Sequence, residues 1–160
     1  SLTKLSPSCK IIASDVSEEA LEVGRENAAA NGVSDRIEFI LSDFFERIPE
    51  REKFDLVISN PPYIPSEDYD SLPLEVRSEP RIALDGGPKG LEFYGKIISE
   101  SAKRLKDGGY LILEIGYGQT AAIRGLIESA GSYRDAEIIK DYNNIDRVVI
   151  AKKINHIQDG

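Results

Sequence analysis

Short runs of β-branched and apolar residues alternate along this chain with segments of helical periodicity, and that alternation admits few architectures. It is the signature of an α/β fold, doubly wound around a mostly parallel sheet. Residues 10–14 read as the first strand. Residues 17–31 follow as a helix, with Ala20, Leu21, Gly24 and Ala28 at helical spacing and Asn31-Gly32 as the stop signal. Residues 36–41 and Phe54–Ser59 read as the next two strands. The second of these, Phe-Asp-Leu-Val-Ile-Ser, is nearly continuous in apolar residues and is expected to be buried on both faces. A helix over 90–106, a strand over 110–115 and a helix over 119–130 closing on Gly131 come next. Residues 134–141 and 147–153, joined by an Asn- and Asp-rich stretch, read as a closing antiparallel hairpin. Residues 1–160 are expected to form one domain.

Charge narrows the range of partners. The net charge is −8, and Lys and Arg are scattered among more numerous acids. A protein that grips phosphate backbones needs clustered bases, so a nucleic-acid substrate is disfavoured. No apolar run is long enough to span a bilayer, and residues 1–10 carry neither an apolar core nor a cleavage site. Cys9 is the single cysteine and His156 the single histidine, which leaves no cluster to hold a metal, and His156 in its polar tail is expected to be solvated. The expected compartment is the cytoplasm.

Between Asn60 and Gly90 the periodicity stops, and six of the eight prolines fall there. A loop of that length in a compact domain is usually functional or disordered. It opens with Asn60-Pro61-Pro62-Tyr63, directly after the apolar strand Phe54–Ser59. Ligands of open α/β sheets bind beyond the carboxyl ends of strands. Proline pushes the residue before it into extended conformation, fixes its own φ and removes an N–H. The tetrapeptide is therefore stiff, and it offers acceptors without competing donors. Such a segment suits a planar NH2 group. The Asn60 side-chain oxygen and the Pro61 carbonyl can each accept one hydrogen, while Tyr63 packs on the flat face of the amide or base. Two acceptors would orient a poorly nucleophilic nitrogen toward a methyl donor and stabilise the positive charge that develops on it.

Other residues are suggestive singly. Asp15 follows the first strand and precedes a helix, where an acid can hold ribose hydroxyls or help cap the helix; Ser17 is equally placed for capping. Asp43 and Phe44, after the second strand, could bind adenine by a hydrogen bond and an apolar contact, or be an ordinary loop acid and a core aromatic. The stretch Asp85-Gly86-Gly87-Pro88-Lys89-Gly90 lacks the ending of a phosphate-binding loop and reads as a shaped turn. Glu114 ends an apolar strand and either supports the Asn60 loop or reaches water.

With these residues assembled, the chain resembles the HemK/PrmC family of protein-(glutamine-N5) methyltransferases over nearly its whole length. The resemblance is carried by Ser14-Asp15-Val16-Ser17, Ser42-Asp43-Phe44-Phe45 and Asn60-Pro61-Pro62-Tyr63-Ile64. It continues through Glu79-Pro80, Ala83-Leu84-Asp85-Gly86-Gly87, Gly90-Leu91, Tyr94, Leu113-Glu114-Ile115-Gly116, Gln119 and Asp146-Arg147. The Asn-Pro-Pro-Tyr tetrapeptide is shared with enzymes that methylate amino groups of DNA and RNA bases, which is the alternative reading. The resemblance implies a Rossmann-like fold, S-adenosyl-L-methionine as cofactor, and methylation of the glutamine in the Gly-Gly-Gln motif of peptide-chain release factors. It implies that Asp15, Phe44 and Asn60 touch the cofactor, and that Asn60, Pro61, Pro62 and Tyr63 clasp the glutamine amide. Phe44 stands where many relatives carry tryptophan. It further implies that a glycine-rich cofactor loop, its central strand and a helical domain belong before Ser1. Residues 1–5 are then expected to be the tail of a helix, and the chain alone to be truncated, weak in cofactor binding and inactive.

Overall fold

The computed structural model describes Thr3, Ser6 and residues 8–134 and 136–155. His156, and all of the expected helical tail at 1–5 except Thr3, lie outside the described residues. The chain divides into two compact units, with the boundary between Glu52 and Lys53.

In the first unit, β1 (Ile11–Asp15) pairs in parallel with β2 (Ile37–Leu41) from Ile11↔Ile37 to Asp15↔Leu41. Between them runs α1 (Glu18–Ala30). Its start is chemical: the Ser17 Oγ accepts the Ala20 N–H at 3.2 Å and so satisfies one of the helix's unpaired donors. Leu21 and Ala28, two turns apart, form its buried stripe. Gly24 lies between them because a β-carbon there would stand 2.8 Å from the Phe39 ring. Thr3 is buried, and its carbonyl accepts the Arg36 guanidinium at 2.6 Å.

The second unit is a four-stranded sheet in the order β3-β4-β6-β5. These strands are β3 (Phe54–Ser59), β4 (Leu105–Glu114), β5 (Glu137–Lys140) and β6 (Asp146–Lys152). β3 and β4 are parallel, while β6 runs antiparallel to both β4 and β5, the expected hairpin. Helices α4 (Glu92–Arg104) and α5 (Thr120–Ala130) bury Tyr94, Ile97, Ile98, Ser101, Ile123 and Ile127, all at helical spacing. Each large aliphatic so buried contributes about 1.5–3 kcal/mol. α5 ends on Gly131, whose φ of 60° is the left-handed stop that glycine takes at least cost.

Two expectations need correction. β3 is not buried on both faces: Ile58 is 51% exposed. Its pairing explains this, since β4 is its only hydrogen-bonded neighbour among the described residues and β3 stands at the sheet edge. β4 also begins five residues before the expected position at 110. Leu105 already pairs with Phe54, and the ladder then shifts register to Leu56↔Tyr110.

The long loop is not structureless. A 3-10 turn (Ser66–Ser71), α2 (Leu74–Arg77), α3 (Arg81–Leu84) and a second 3-10 turn (Pro88–Gly90) fill it. Pro65, Pro73 and Pro80 each occupy the N-cap of the piece that follows, with φ of −56°, −54° and −56°, and Pro88 opens the last. Proline loses nothing at these positions, because its missing N–H would have been unpaired anyway.

Candidate active site

The second unit gathers its chemistry where β3 ends. Asn60 follows Ser59, the last residue in register with β4, opposite Leu113. The Asn60 residue is exposed, Pro61 is buried, and Pro62 and Tyr63 are half-buried. Neither the Asn60 side chain nor the Pro61 carbonyl makes a hydrogen bond among the described residues. Both expected acceptors are therefore free.

From Tyr63 onward the chain is tied down. The Tyr63 hydroxyl donates to Glu114 Oε1 at 3.2 Å, so Glu114 faces the loop rather than merely reaching water. Burial, and next the adjacent Glu114 charge, raise the Tyr63 hydroxyl above its ordinary value of 10.0. Tyr63 therefore stays protonated across the physiological range and is a donor, not a base. Tyr94 donates to the Glu114 carbonyl at 2.9 Å, and burial pushes its hydroxyl up as well. The Arg147 guanidinium is held by Asp141 at 3.2 Å.

The glycine-rich turn is the other wall of this loop. Ile64 N–H donates to Leu84 O at 3.0 Å and Gly86 N–H to Ile64 O at 2.8 Å. A β-carbon on Gly86 would lie 2.6 Å from the Pro62 carbonyl oxygen, and one on Gly90 would lie 2.0 Å from that of Tyr63. These glycines are there because backbone packs on backbone. Asp85 shapes the turn. Its Oδ1 accepts the Ser66 hydroxyl at 2.6 Å and the Gly87 N–H at 3.0 Å, and its Oδ2 accepts Arg81 at 2.8 Å. The Ser66 hydroxyl first, then the Gly87 N–H and Arg81, hold the Asp85 carboxyl below its ordinary value of 3.8. The turn is thus a structural clamp, as its sequence suggested.

In the first unit, Asp15, Asp43 and Phe44 come together at the carboxyl ends of the two strands. Asp15 is the last residue of β1, and its carbonyl accepts the Ser42 N–H at 2.9 Å. The Asp15 Oδ1 accepts the Ser17 N–H at 2.8 Å, which shapes the turn into α1 while Ser17 itself does the capping. Asp15 is exposed, and its second carboxylate oxygen makes no hydrogen bond among the described residues. Phe44 has φ of 46°, an uncommon conformation for a bulky residue, in a turn closed by Glu46 N–H to Asp43 O at 3.1 Å.

Gln119 is the residue whose role sequence reasoning missed. Only 8% exposed, it lies at the head of α5, and its amide reaches Tyr63, Lys89, Gly90 and Gly116. The resemblance includes Gln119 after Leu113-Glu114-Ile115-Gly116 but gives it no role.

This α/β chain, with Asn-Pro-Pro-Tyr directly after a strand, matches a known class. The model of the methyltransferase domain family fits residues 1–153, and the chain belongs to that family. Among curated proteins it is 40% identical over 151 residues to the release factor glutamine methyltransferase of Moorella thermoacetica, covering 94% of this chain and 53% of that protein. It is 44% identical over 148 residues to the release factor glutamine methyltransferase of Caulobacter vibrioides, covering 92% and 50%. The chain thus spans about half the length of the curated relatives it matches. Among solved structures, a methyltransferase from Pyrococcus furiosus superimposes with a TM-score of 0.70 at 22% identity, covering 96% of this chain and 67% of that one, a likeness of fold.

Proposed function

We propose that the protein to which this chain belongs methylates the side-chain amide nitrogen of a glutamine in peptide-chain release factors, in the Gly-Gly-Gln motif, using S-adenosyl-L-methionine. The observation that carries the reading is the pair of unengaged acceptors, the Asn60 side chain and the Pro61 carbonyl, just ahead of Tyr63 and Ile64, which are held by hydrogen bonds. A primary amide has two hydrogens to donate, and a buried carbonyl favours a partner. The identity of 40–44% to release factor glutamine methyltransferases supports the same substrate. Residues 1–160 are read as one catalytic domain, since the family match runs across the boundary at 52 and 53. No helix among the described residues is long and apolar enough to cross a membrane, and the proposed compartment is the cytoplasm.

The cofactor's demands fit the first unit. Ribose hydroxyls need an acceptor, and Asp15 offers a free carboxylate oxygen in a turn fixed by its other one. Asp43 and Phe44 follow β2 and are proposed to meet the adenine. When bound, S-adenosyl-L-methionine supplies a methyl group activated by its positive sulfur. Asn60 and Pro61 accept the two amide hydrogens and aim the lone pair. As positive charge builds on nitrogen, both acceptors hold it more strongly than they hold the neutral amide, which lowers the barrier. Tyr63, fixed by Glu114, presents its ring to the flat amide. The proton leaves through these oxygens to water, so no strongly basic side chain is needed.

Incubating the intact protein with a release factor and mapping methyl mass by peptide mass spectrometry tests the reading. Modification of the Gly-Gly-Gln glutamine, lost in Asn60→Ala, is expected. Methyl transfer to RNA or DNA with none to release factor would assign the same clasp to a base amine instead.

A further inference from the structure

We infer that Gln119 is a positioning residue for methyl transfer, acting through the backbone of the Asn-Pro-Pro-Tyr segment; this rests on the reaction proposed above. Its amide is fully engaged. Nε2 donates toward Tyr63 O at 2.9 Å, Gly90 O at 3.1 Å and Lys89 O at 3.3 Å, so its two hydrogens serve three carbonyls. Oε1 accepts the Gly116 N–H at 2.9 Å. All four partners are backbone groups, and they come from three segments: the chain after β3, the glycine-rich turn and the chain after β4.

Local needs do not account for a glutamine here. Residue 119 is the N-cap of α5, yet its side chain makes no capping hydrogen bond. A capping position would favour Ser, Thr, Asp or Asn. The surroundings are built around the longer amide instead. A β-carbon on Gly116 would approach Oε1 to 2.8 Å, and one on Gly90 would approach Nε2 to 2.7 Å. Fixing the Tyr63 carbonyl fixes the peptide after the clasp, and the two prolines before it transmit that position to the Pro61 carbonyl and Asn60. Displacement of a positioning group by about 1 Å can lower a rate by roughly 10²-fold.

The test uses the intact protein with Gln119→Leu, which keeps bulk and loses every hydrogen bond, and Gln119→Glu, which keeps the acceptor for Gly116 but sets a second oxygen against three carbonyls. Both are compared with wild type well below their unfolding temperatures. We expect kcat on release factor to fall by about 10- to 100-fold in each, with the cofactor Kd within about twofold of wild type. Amide hydrogen exchange at Ile64 and Gly86 rises in Gln119→Leu. A kcat within about twofold of wild type in either folded variant overturns the inference. So does parallel loss of cofactor binding and activity, which marks a general structural role. If wild type fails to methylate release factor, the proposed reaction falls, and exchange decides the rest: unchanged protection at Ile64 and Gly86 in Gln119→Leu overturns the positioning role as well.

Discussion

Replacing Gly90 by alanine combines two separable costs, and Gly95 provides the control. Gly90 sits at φ of 66°, a region that costs an L-residue roughly 1–2 kcal/mol. The new β-carbon would stand 2.0 Å from the Tyr63 carbonyl oxygen and 2.7 Å from Gln119 Nε2. Ordinary contact begins at 3.4 Å, so the Tyr63 carbonyl must retreat by more than 1 Å, and backbone cannot rotate aside as a side chain can. Overpacking of this kind costs about 1–3 kcal/mol, giving a total near 2–5 kcal/mol. Because the retreat moves the segment that carries the clasp, kcat should fall by about 10²-fold in the folded variant. Gly95 lies in α4 with nothing within 4 Å of its β-carbon position. Gly95→Ala should therefore stabilise the protein by about 0.5–1 kcal/mol and leave the rate unchanged. Urea unfolding of both variants, with initial rates on release factor, measures each quantity. If Gly90→Ala unfolds within about 0.5 kcal/mol of wild type and keeps its rate, the backbone-on-backbone account of the turn is wrong.

Three further outcomes are expected. Tyr63→Phe keeps the ring and loses only the hydroxyl bond to Glu114, so kcat should drop less than about 10-fold, whereas Tyr63→Ala should cost about 10²-fold; equal effects would show that the ring does not matter. Asp85→Asn should lower Tm at neutral pH. A carboxyl whose folded pKa lies below 3.8 stabilises the fold above that value, and the contribution disappears as pH falls through the lower folded value, so the Tm gap between Asp85→Asn and wild type should close in acid. A gap unchanged from pH 7 to pH 2–3 (about the acid end of such a titration) would refute the clamp. Gly131→Ala, at the left-handed end of α5, should cost about 1 kcal/mol in denaturant unfolding without altering kcat; a neutral result would mean the stop does not need glycine.

What could be read ahead of the coordinates follows from how local each determinant is. The bounds of β3 and the Gly131 stop are written in adjacent residues: an apolar run cut off by prolines, and a glycine just past a periodic stretch. Ser17 and Asn31 mark α1 in the same way. The start of β4 is different, because the expected helix runs on to Lys106 in the sequence and it is the distant Phe54 that pairs with Leu105. The exposure of Ile58 likewise depends on which strands pair, which composition does not record. The stiffness of Asn60-Pro61-Pro62-Tyr63 was legible because proline chemistry acts on its immediate neighbours. Gln119 was not, since the carbonyls it serves lie 29, 30 and 56 residues away and nothing in its own surroundings announces them.

The loop that follows the clasp leaves and returns through a narrow throat. Ile64 and Asp85 form a parallel bridge there, and Ser66 N–H reaches Gly87 O at 3.1 Å. The chain between Glu67 and Ala83 hangs from this throat, with Leu74 and Ile82 turned outward at 73% and 64% exposure. Lengthening the stretch between Ser71 and Pro80 adds little closure entropy, whereas Arg81, which holds Asp85, is part of the seam. An insertion in that stretch is therefore expected to leave the bridge between Ile64 and Asp85 intact.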